Sequence, residues 1–93
     1  MNEEKLKSQL QSEGFPVVYK WRDEPGTIYD KHIHQDKVSF YVTNGDIEFD
    51  FSSEKKLVKT GERFDVPPKI EHAAIVGKSG CEYVVGQMTE EDA

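Results

Sequence analysis

The stretch GTIYDKHIHQDKVSFYVTNG, residues 26–45, decides how the chain is read. It holds two of the chain's three histidines, His32 and His34, one residue apart. In an extended strand, residues i and i+2 point to the same face, roughly 6.5–7 Å apart. The pattern predicts a strand over residues 27–34 with Ile28, Asp30, His32 and His34 on one face and Tyr29 and Ile33 on the other. Two imidazoles that face an interior are costly to bury without partners. A divalent ion at about 2.0–2.1 Å from a nitrogen of each would satisfy both. The same spacing also occurs on ordinary exposed strands, so the pair alone leaves both readings open.

The surrounding sequence reads as a β-rich domain. Residues 2–13 form a short helix: Asn2 caps it, Glu3 and Glu4 suit its positive end, Leu6 and Leu10 make a narrow apolar stripe, and Gly14 closes it. From Phe15 onward the period is two. VVYKWR sets Val17, Tyr19 and Trp21 against Val18, Lys20 and Arg22, with Trp21 expected in the core. In IEFDF, Ile47, Phe49 and Phe51 point in while Glu48 and Asp50 point out. TNGD (43–46) carries the chemistry of a hairpin turn, and GKSG (77–80) reads as a second turn. The sum is seven to nine short strands after one helix, the pattern of a β-sandwich or barrel.

Composition bounds what such a domain does. The chain has 93 residues, enough for one small domain. A domain of that size buries only about 60–65% of the surface its unfolded chain exposes, which makes dimerisation an expectation. The net charge is −6 and no basic stripe is present, so nucleic acid is not an expected partner. No apolar run approaches the ~18 residues of a membrane span and no signal peptide is visible, so a cytoplasmic location is expected. Cys81 stands alone and reads as a buried apolar residue.

The spacing of residues 26–76 resembles the two motifs of the cupin superfamily, G-x5-H-x-H-x3-4-E-x6-G and G-x5-P-x-G-x2-H-x3-N. Gly26, His32, His34 and Gly45 fall in register with the first, and Gly61, Pro67 and His72 with the second. The resemblance implies an all-β fold: a conical cupin-type β-barrel or jelly roll (a double-stranded β-helix) preceded by one short N-terminal helix. The helix then lies within residues 1–14, the barrel spans 15–88, and 89–93 form a frayed tail. It also implies a metal site of His32, His34 and His72. The family's glutamate is Val38 here, its second-motif glycine is Lys69, and its asparagine is Val76. Asp30, Asp36 and Gln87 are the candidates to replace the missing carboxylate.

Three neutral ligands leave a bound ion its full charge and at least one open position. The neutral set favours Zn, Ni, Cu or Fe(II) over Mn(II). Two functions follow. One is a metal-dependent enzyme of dioxygenase, isomerase or hydrolase type acting on a small polar molecule. The other is a non-catalytic module that holds a metal or metabolite, in the limit a metal-free barrel serving as a scaffold. No acid–base pair or anion clamp stands out, since Arg22 and Arg63, the only arginines, fall outside or at the rim. In either case the expected assembly is a homodimer.

Overall fold

The structure, a computed structural model, describes residues 2–90. The N-terminal helix α1 (Glu3–Ser12) is capped by Asn2, whose side-chain oxygen accepts from the Lys5 amide at 3.2 Å. Six strands follow: β1 (Val17–Asp23), β2 (Ile28–His32), β3 (Val38–Asp50), β4 (Lys55–Lys59), β5 (Arg63–Val66) and β6 (His72–Gln87). Two of these are long, and they account for the smaller number of strands. TNGD does not reverse the chain but lies within β3, and GKSG lies within β6. The expected frayed tail falls, for residues 91–93, outside the described residues.

β3 and β6 run antiparallel along their whole length and form the spine of the sheet. On its free edge β6 pairs first with β2 and then with β1. On its free edge β3 pairs first with β5 and then with β4. One half therefore has the order β1-β6-β3-β5 and the other β2-β6-β3-β4. The spine bends between the halves, where the register slips at residues 42–44 and 45–47 of β3. Gly45 and Gly80 both take positive φ at this bend. Asn-Gly chemistry tolerates positive φ, and that serves a bulge as readily as a hairpin turn.

The core fills the space between the two halves. Val38, Val42, Ile47, Phe49, Val58, Val66, Ala74, Val76, Tyr83 and Val85 are buried there, with Phe40, Phe51 and Phe64 partly buried against them. Cys81 joins this cluster, and burial pushes its thiol up to about 12. The helix docks on the outside of the first half: Leu10, Phe15 and Val84 form a second cluster with Leu6, Val18, Tyr41 and Met88. Phe15 rests on Gly86, where a Cβ would stand 2.9 Å from the ring. Arg63 ties the helix end down by a two-pronged bond to Glu13 (2.6 and 2.8 Å) and also donates to Tyr41 and Asp65. The guanidinium holds the Glu13 carboxyl at about 2. No helix among the described residues is long and apolar enough to cross a membrane.

The bend generates a prediction. A Cβ on Gly45 would lie 2.0 Å from the Gly80 carbonyl oxygen, at a φ of 82°. Gly45→Ala should therefore destabilise by about 3 kcal/mol or more, read as a fall in urea midpoint. An unchanged midpoint would mean that the two strands do not nest there.

Candidate metal and ligand site

His32 and His72 face each other across the β2–β6 ladder. The ladder carries a bulge: Tyr29 pairs with Ala74 and His32 with His72, so three steps on β2 match two on β6. The extra residue changes which side chains point in. Tyr29, expected opposite the histidines, lines the cavity with them. Asp30, expected on the histidine face, is exposed and lies outside that cavity. β2 ends at His32, so His34 reaches the site from the following loop and not from the strand. There its carbonyl accepts from the Lys69 amide at 2.8 Å. Lys69 occupies the second motif's glycine position and takes φ 61°, which is why that motif has a glycine there.

The three imidazoles converge. Their ring centroids are 4.4 Å (His32–His72), 4.9 Å (His32–His34) and 5.0 Å (His34–His72) apart. One nitrogen from each lies within 4.8 Å of the others. His34 and His72 are buried and His32 is partly so. The Nδ1–H of His32 donates to the Asp30 carbonyl at 2.7 Å, and that of His72 to the Ile70 carbonyl at 2.9 Å. Both bonds reach back two residues and fix the same tautomer, which leaves Nε2 with its lone pair free to ligate. Burial pushes the His72 imidazole below its ordinary range, and His32 adds to that. A neutral imidazole is the ligand form. Phe49 and Phe51 stand against His72, with ring centroids 6.3 and 5.7 Å away.

The set fits one divalent ion. Metal–nitrogen bonds of about 2.0–2.1 Å require the three nitrogens to stand roughly 3.4 Å apart, a contraction of at most about 1.4 Å from the spacing seen. Among the described residues no carboxylate or thiolate joins the group. Val38, in the position of the motif's glutamate, is a buried core residue. Of the three replacement candidates, Asp30 points away, Asp36 is exposed on the loop and does not line the cavity, and Gln87 does line it.

The histidines sit in the wall of the largest hollow described, about 740 Å³. Its lining is mostly apolar and aromatic, with Val17, Tyr19, Trp21, Val38, Phe40 and Val85 among its members. Trp21 is 51% exposed at the mouth and not in the core. Comparison with solved structures places this architecture. A cupin-2 domain protein from Shewanella frigidimarina is 21% identical, with a TM-score of 0.66 over 75% of this chain and 67% of that one. An RmlC-like cupin from the same organism is 24% identical, with a TM-score of 0.68 over 82% and 68%. The polyketide cyclase RemF from Streptomyces resistomycificus is 19% identical, with a TM-score of 0.67 over 78% of this chain and 54% of its own length. The chain has the cupin fold. No family model matches the chain, and no curated protein does.

Within this cupin fold the structure adds a network that the sequence reading missed. Asp23, at the end of β1, is buried and accepts from Trp21 Nε1 (2.9 Å), Tyr29 OH (2.5 Å) and Tyr83 OH (2.7 Å). Burial and the hydrogen bond to Asp23 push both phenols up, Tyr83 far more than Tyr29, so they stay neutral donors. The available signal was the period-two pattern of β1, which continues from Tyr19 and Trp21 to Asp23. Asp23→Ala removes the acceptor of all three donors, the buried Tyr83 hydroxyl among them. It should cost about 2–4 kcal/mol in denaturant titration. A cost near zero would show that the network carries no stability.

Proposed function

We propose that this protein is a small cupin that binds one divalent transition metal ion through His32, His34 and His72 and holds a small molecule in the adjoining cavity. The observation that carries the reading is the convergence of three imidazoles, two of them with Nε2 freed by backbone hydrogen bonds, at the wall of a 740 Å³ hollow. Zn, Ni, Fe(II) and Cu suit an all-imidazole set. When bound, the ion would supply Lewis-acid or redox chemistry at its open positions. The chain's own part is to bind and orient a ligand and to keep water from one side of it.

Binding is better supported than acid–base catalysis. Among the described residues the one carboxylate lining the cavity is Glu90, which is exposed. Asp23 is already committed to three donors. Among the described residues no lysine or arginine lines the cavity. A dioxygenase, isomerase or hydrolase reaction on this scaffold would have to draw its reactivity from the ion itself.

Elemental mass spectrometry of untagged protein tests the site. About one ion per chain is expected in the wild type and none in His72→Ala. Absence of metal from the wild type after reconstitution would overturn the proposal. The same reading takes the chain as a cytoplasmic homodimer. Ile28, Ile75 and Leu57 support the dimer, being exposed in one row across the outer face of the second half, with Glu48 between the last two. Sedimentation equilibrium should give twice the chain mass, and a monomer at ~100 µM would reject the dimer.

A further inference from the structure

Gln87 is 1% exposed, and its Oε1 is the one buried side-chain oxygen or nitrogen without a hydrogen-bond partner among the described residues. Buried polar groups are nearly always paired, so an orphan in a cavity wall marks the place of a missing donor. Gln87 ends β6. Its neighbour Gly86 pairs with Ser39, so the next register step sets Gln87 beside Val38. It lines the same cavity as the three histidines.

The rest of that lining narrows the chemistry of the donor's owner. Six aromatic side chains contribute: Tyr19, Trp21, Tyr29, Phe40, Phe49 and Tyr83. The N–H of Trp21 and the hydroxyls of Tyr29 and Tyr83 already donate to Asp23, so these three rings offer surface and no spare donor, which leaves the Tyr19 hydroxyl. Among the described residues neither a lysine nor an arginine stands in the wall to pair a phosphate or a carboxylate. Aromatic walls favour a flat ring in offset or edge-to-face packing.

We propose that the cavity takes an uncharged, flat aromatic molecule that donates an O–H or N–H hydrogen bond to Gln87 Oε1. This rests on the reading of the hollow as a ligand site and adds the class of ligand and the residue that selects it. Gln87 is then a specificity-determining residue. A site with a buried acceptor rejects an analogue that lacks the donor, because the acceptor stays unpaired in the complex.

The probes are 1-naphthol, which carries the donor, and 1-methoxynaphthalene, which lacks it. Both are titrated calorimetrically into wild type and Gln87→Leu, each chelator-treated and zinc-loaded. The wild type should prefer naphthol by roughly tenfold, and Gln87→Leu should bind the two within about threefold. Equal affinities in the wild type, no binding of either probe, or the same preference in Gln87→Leu would each overturn the proposal. Should Gln87→Leu fail to fold, Gln87→Met is read in the same way. Preference in a chain that takes up no zinc would reject the metal reading and uphold this one. Zinc uptake without preference would reject this one alone.

Discussion

The paired run of β3 with β6 is the constraint on which the rest of the molecule depends. Each strand pairs with its partner on one edge and with two short strands on the other, so the two halves of the sheet are covalently continuous. Folding that spine across Gly45 and Gly80 places the halves face to face and creates both the core and the hollow. His72 begins β6 and Gln87 ends it, yet both line one cavity because the strand between them bends. The close approach at Gly45, with no room for a Cβ, turns a local backbone choice into a global one.

The interior polar groups fall into two kinds. Asp23 is saturated by three donors, and the Nδ1 atoms of His32 and His72 are bonded to backbone carbonyls. Left open are the Nε2 atoms of those two histidines and Gln87 Oε1. In a protein whose buried groups are otherwise paired, unspent ligating and accepting atoms mark function more than stability. The open atoms call for two different things, an electron-pair acceptor at the imidazoles and a proton donor at the amide. A metal ion and an organic ligand together meet both demands.

Much of this was legible in residues 26–72. The spaced glycines and histidines identified the fold, and His72 was found forty residues from His32 because two motifs had to close on one site. Less legible was anything that depended on a bulge. Asn44-Gly45 and Gly77–Gly80 carry the backbone freedom of turns, and local chemistry does not distinguish a turn from a bend in a continuous strand. The bulge in β2 turned Tyr29 inward and Asp30 outward, a reversal that one extra residue imposes on a period of two. Asp23 went unnoticed beside Glu24-Pro25-Gly26, whose Pro-Gly chemistry favours a turn. Gln87 was named only as a candidate to replace the missing carboxylate, and its unpaired oxygen belongs to three-dimensional structure.

The most direct test of the central claim, that three imidazoles hold one ion, His32 and His72 through Nε2, is the long-range nitrogen–proton correlation spectrum of the histidine side chains. Metal-free protein should show His32 and His72 as the Nδ1–H tautomer. On addition of one equivalent of zinc, the ring-nitrogen resonances of all three histidines should shift together, Nε2 at His32 and His72, with Nδ1 of those two still protonated. Resonances unmoved by zinc, or a response confined to one histidine, would contradict the account.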